Sequence, residues 1–86
     1  MKYLTLTKAA KTFAFCQEYE LGFWILYAYK KAGKLQCLNK GTDTFPRWQT
    51  SEADIIRCFL DQNLNNRDLH ADIKRKYAHV FATDNV

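Results

Sequence analysis

The chain alternates between short runs of helical spacing and one cluster of turn residues. Thr5 is placed to cap a helix that begins at Leu6, with Ala9 and Ala10 as strong helix formers and Phe13 on the same face as Leu6. Between Thr12 and Gln17 the apolar spacing becomes irregular, and this helix is expected to stop or bend there. The next segment, 18–32, opens with Glu18 and Glu20 and closes with Lys30, Lys31 and Gly33. Acids at the start, cations at the end and a glycine just past the end predict a helix. Its core from Phe23 to Tyr29 is also aromatic enough to fit a strand.

Lys34 to Leu38 reads as a short strand, Asn39-Lys40-Gly41-Thr42-Asp43 as a turn, and Phe45 to Gln49 as the returning strand. Pro46 limits the returning strand to a sheet edge or to its first residues. Ser51 with Asp54 three residues on marks a helix start, and Ile55, Ile56, Phe59 and Leu60 give that helix its apolar face. A last helix is predicted over 67–81, with Leu69, Ile73, Tyr77 and Val80 in one stripe. The expected fold is mainly α with a small two-stranded β-hairpin, in the order helix, helix, hairpin, helix, helix.

Composition narrows the function classes. Eighty-six residues make one domain, 1–86, with no room for a two-domain enzyme or a barrel. Leu, Ile, Val and Phe make up about a quarter of the chain, above the level of intrinsic disorder. Three cysteines, Cys16, Cys37 and Cys58, are widely spaced. They read as small buried apolar residues, and neither a disulfide framework nor a metal site is expected. The longest apolar stretch, Leu21 to Tyr29, is too short to span a bilayer, and the N-terminus lacks a signal peptide's apolar run. A soluble, cytoplasmic protein without a membrane partner is expected.

Catalytic chemistry finds no support. No cysteine has a neighbouring histidine in sequence, and Gly22, Gly33 and Gly41 are too dispersed for a phosphate loop. Glu18 and Glu20, two apart, would point to different sides of a helix, and His70 and His79 make no ligand pair. No enzyme and no cofactor are expected. Charge is more informative. Residues 1–40 carry a net +5, residues 41–66 a net −2 and residues 67–86 a net +1, for a total of +4. Positive charge concentrated in the first half favours a polyanion partner.

Three segments in order carry a family resemblance. Leu4-Thr5-Leu6-Thr7-Lys8-Ala9-Ala10 resembles an opening L-T-x-x-E-A-A, with Lys8 where Glu is usual. Lys31-Ala32-Gly33-Lys34-Leu35 is similar to the G-K-L that leaves a second helix for a wing. Ser51 to Leu60 is similar to the S-x-x-D-L-x-x-F-L helix that follows the wing. Residues 3–61, about two thirds of the chain, thus resemble the small winged helix-turn-helix domains of the excisionase and MerR-like group.

That resemblance implies a second helix in the major groove of double-stranded DNA and a wing on the backbone or minor groove. The implied role is that of a mobile-element protein, either an excisionase that sets the direction of DNA recombination or a regulator of transcription. The DNA-contacting residues it implies are Gln17, Tyr27, Lys30 and Lys31 on the helix, with Lys34, Lys40, Thr42 and Arg47 at the wing. Glu20 shares that exposed polar face. A second reading comes from the aromatic residues Phe23, Trp24, Tyr27 and Tyr29, with Phe45 and Trp48, since Trp and Tyr are favoured interface anchors. They would make the chain a phage- or plasmid-encoded interaction module or inhibitor of a host protein, or a homodimer.

Overall fold

A strand, not a helix cap alone, opens the chain. In the computed structural model, which describes residues 2–84, β1 (Tyr3–Thr5) runs directly into α1 (Leu6–Thr12). Thr5 is extended, and its hydroxyl accepts the Lys8 N–H at 3.4 Å, so the expected cap forms. Phe13 leaves helical geometry, and α2 (Ala14–Glu18) starts after it. Phe13 offers no capping side chain, and the Glu52 carboxylate supplies one instead, accepting the Phe15 N–H at 3.0 Å from 37 residues away.

The single helix expected over 18–32 is divided. Glu18 ends α2, Glu20 takes a left-handed φ of 55°, and Leu21 is buried with its N–H on the Cys16 carbonyl. Only then does α3 (Phe23–Lys31) begin, with Gly22 as its N-cap. Its end is as the glycine predicts: Gly33 has φ 76°, and the Lys34 N–H returns to the Tyr29 carbonyl at 2.9 Å.

The β structure is also larger than expected. β2 (Leu38–Asn39) and β3 (Trp48–Ser51) pair antiparallel with Asn39 opposite Trp48, and they start four and three residues later than the pattern indicates. β1 adds to the other side of β3, with Leu4 opposite Thr50, giving the order β1-β3-β2. A three-stranded sheet therefore replaces the expected two-stranded hairpin, and Pro46, which has no N–H to give, lies outside it.

α4 (Glu52–Gln62) starts as predicted, with Ser51 Oγ accepting the Asp54 N–H and donating to Asp54 Oδ2 at 2.8 Å. The helix expected over 67–81 breaks. α5 (Arg67–Lys76), capped by Asn66, ends at Tyr77, and α6 (Ala78–Asp84) follows. The predicted stripe still faces inward: Ile73 and Tyr77 are buried, and Leu69 and Val80 pack against them.

The core centres on Phe15, whose ring lies 4.8 Å from Tyr19, 5.4 Å from Phe59 and 5.1 Å from Tyr77. Cys16 and Cys58 are buried free thiols, pushed up by burial to about 12 and about 11. No helix among the described residues is long and apolar enough to cross a membrane.

Glu18 couples α2 to the C-terminal helices. Tyr77 Oη donates to Glu18 Oε1 at 2.8 Å, and Lys76 Nζ lies 3.0 Å from Oε2. The Tyr77 bond, then the Lys76 ammonium, hold the carboxyl below the usual carboxylate range. A lowered folded-state value means that this stabilisation is complete above about pH 4.3, the ordinary glutamate value, and is lost as pH falls through the folded value. In thermal melts, wild type is therefore expected to lose its advantage over Glu18→Gln as the solution is acidified, the two curves converging at the acid end. A constant gap from neutral pH to about pH 3 would contradict this assignment.

Candidate functional site

α3 packs against α1 and is anchored in the core by Leu26, which is fully buried. Helical spacing places Tyr27, Lys31, Trp24 and Ala28 together on the opposite face, and all four are exposed. Trp24 is 76% exposed. Its ring meets Phe23 at 5.2 Å and Tyr27 at 6.3 Å, both edge to face, while Phe23 and Tyr27 stack at 5.8 Å. The α3 surface is thus an ordered aromatic ridge rather than a set of independent side chains.

The β2–β3 connection, residues 40–47, stands beside this ridge. Asn39 organises it: its Oδ1 accepts the Gly41 N–H at 2.9 Å and the Arg47 N–H at 3.0 Å. Lys40 N–H donates to the Arg47 carbonyl, Thr42 N–H to the Phe45 carbonyl, and Phe45 N–H to Thr42 Oγ1. These bonds hold Lys40, Arg47 and the exposed Phe45 ring on a defined loop. Between loop and α3 runs a largely apolar groove lined by Phe23, Tyr27, Pro46, Arg47 and Trp48 together with residues 5–7. Lys30 crosses its edge, with Nζ 4.1 Å from the centroid of the Trp48 ring.

Gly41 is required by this loop. A Cβ there would lie 2.3 Å from the Phe45 carbonyl oxygen and 2.9 Å from the Arg47 nitrogen, both backbone atoms. Gly41→Ala is expected to cost about 1–3 kcal/mol and to open the loop. Trypsin cleavage after Lys40 and Arg47 should accelerate, and the thermal midpoint should fall by about 4–8 °C for each kcal/mol lost. Unchanged cleavage would show that the loop absorbs the methyl.

Net charge converges on the same surface. Residues 23–48 hold Lys30, Lys31, Lys34, Lys40 and Arg47 against one acid, Asp43, while the remaining eight cations and eight acids cancel. The whole +4 therefore arises from α3 and the connection to β3. The ion pairs Arg57–Asp54, Arg75–Asp72, Lys76–Glu18 and Lys76–Asp72 use none of these five cations.

The structure gathers most of the residues singled out by sequence. Tyr27 and Lys31 share the outer face of α3, Lys30 and Trp48 meet at the groove, and Lys40, Thr42 and Arg47 share the loop. Lys34 is exposed just beyond Gly33. Gln17 stands apart on α2, where its Nε2 donates to the Lys11 and Ala10 carbonyls and closes the end of α1. Of the aromatic set, Trp24 and Phe45 are the most exposed, whereas Phe23 and Tyr29 are half-buried and pack against the core. Burial raises the Tyr29 hydroxyl above the ordinary tyrosine range. Tyr29 therefore belongs to the inner side of α3 rather than to an exposed interface. Phe45 belongs to the aromatic surface expected from the sequence, whereas Asn39 and Gly41 were expected only as turn residues. The Asn-Lys-Gly sequence was legible as a turn, but nothing local marks Phe45 as its exposed tip.

No protein-family model, no curated protein and no solved structure matches this chain.

Proposed function

We propose that the protein is a small winged helix-turn-helix DNA-binding protein, with α3 as the helix that enters the major groove and the β2–β3 hairpin as the wing. Its role on this reading is that of a mobile-element excisionase or a transcription regulator. The observation that carries the reading is the location of charge: the entire formal +4 lies in the segment from α3 through the wing. Its five cations are outside the ion pairs described, so phosphates can take them without breaking any of those pairs. Four to six phosphate contacts predict a log–log dependence of affinity on salt with a slope of about −4 to −5. A fluorescence-anisotropy titration of a labelled duplex across salt concentrations tests it, and a flat response, or no binding at low salt, overturns it.

A second reading, a protein-interaction module, draws on the exposed rings of Trp24 and Phe45, at 76% and 77%. It predicts a discrete dimer or hetero-complex by light scattering that persists after nuclease treatment.

A further inference from the structure

Major-groove sequence is read by two chemistries: hydrogen bonds to base edges, and apolar contact with the C5 methyl group of thymine. α3 is poorly furnished for the first. Its sequence, Phe-Trp-Ile-Leu-Tyr-Ala-Tyr-Lys-Lys, contains no Arg, Asn, Gln, Asp or Glu. The forked side chains that pair with guanine or adenine are therefore missing from the helix. Lys30 is drawn sideways to the Trp48 ring, which leaves the Trp24 indole N–H, the Tyr27 hydroxyl and the Lys31 ammonium as the polar groups of the outward face. For the second chemistry α3 is well furnished. Trp24, Tyr27 and Ala28 form a continuous apolar surface, and the edge-to-face contacts with Phe23 and Tyr27 hold the Trp24 ring in place. Nine residues span about 13 Å, enough to follow three or four base pairs.

We propose that α3 reads thymine methyl groups, with Trp24 as the principal specificity-determining residue and Tyr27 and Ala28 beside it. The duplex it prefers carries clustered thymines in one face of the major groove. This rests on the DNA-binding reading above, because charge complementarity is what commits the aromatic face to DNA. Lys31 sits within the apolar face and anchors it to the backbone, so affinity and selectivity reside in different side chains.

The test exploits uracil, which keeps every hydrogen-bonding group of thymine and lacks only the methyl. The full-length chain is titrated against a short duplex made only of A·T pairs and against the same duplex with deoxyuridine in place of thymidine. Burial of a methyl-sized group contributes about fourfold in binding. Wild type is expected to bind the thymine duplex at least that much more tightly. Trp24→Ala should bring the ratio close to one, and the exposure of Trp24 makes unfolding by this change unexpected; circular dichroism verifies it. Lys31→Ala should weaken both duplexes equally and preserve the ratio. A G·C duplex with 5-methylcytosine, which puts a methyl group in the same groove, should bind more tightly than its unmethylated form. Equal affinity of wild type for thymine and uracil duplexes, or an unchanged ratio in Trp24→Ala, overturns methyl readout while leaving DNA binding in place. Failure of every duplex to bind at low salt, with a dimer in light scattering, overturns both and assigns Trp24 to a protein contact.

Discussion

Phe15→Ala is expected to destabilise the fold severely. Phe15 is fully buried and touches three aromatic rings, Tyr19 at the end of α2, Phe59 of α4 and Tyr77 between α5 and α6. One side chain thus joins three parts of the chain that are distant in sequence. Truncating a buried phenylalanine costs about 3–5 kcal/mol, as lost transfer energy plus a cavity that close-packed neighbours only partly fill. A domain of this length has a total stability of about 4–13 kcal/mol at the usual 0.05–0.15 kcal/mol per residue. The substitution therefore removes between about a quarter of the stability and all of it. Urea denaturation followed by circular dichroism should show a midpoint far below wild type, or no cooperative transition. Phe45→Ala is the matched control: the same atoms are removed from a ring that is 77% exposed, and the expected change is within about 0.5 kcal/mol. A Phe15→Ala loss smaller than about 1 kcal/mol would mean that the core is not organised around this ring.

Which elements were legible follows from where their stabilising partners lie. The start of α1, the Ser51–Asp54 cap of α4 and the Gly33 terminus of α3 are set by residues within five positions of each other, and these were readable. β1 was not, because three residues have too little pattern to be a strand and their partners are residues 49–51. α2 was not, because its cap is Glu52, a residue that in local context belongs wholly to α4. Tyr77 continues the apolar stripe of α5, so periodicity carries a helix through it, while the bond of its hydroxyl to Glu18, 59 residues away, is invisible to any window. The candidate site divides the same way. Its charge is a property of composition and was readable. The outward face of α3 was readable only in part, through Tyr27 and Lys31, since a helix apolar on nearly every side has no polar stripe to mark the rest. Burial of Leu26 and partial burial of Tyr29 against the core decide it, leaving Trp24, Tyr27, Ala28 and Lys31 outside.

The combined variant Lys31→Ala, Lys40→Ala, Arg47→Ala is expected to have the largest effect on DNA binding. Each phosphate contact contributes about 0.9 to the slope of log affinity against log salt, so three losses should flatten it by about 2.7. The same relation makes each contact worth roughly eightfold at about 0.1 M salt, or a few hundredfold for three. Stability should hardly change, because the three side chains are exposed and the described ion pairs lie elsewhere. The discriminating comparison is a second triple variant with the same change in net charge, Arg67→Ala, Lys74→Ala and Arg75→Ala, all exposed on α5. If the protein attracts DNA only as a diffuse cation, both variants lose the same affinity and the same slope. If α3 and the wing form the interface, the first variant loses nearly all the salt dependence at stake and the second keeps most of it, since charges beyond a Debye length of about 10 Å are largely screened. Equal losses would therefore move the interface off α3 even though binding to DNA persists.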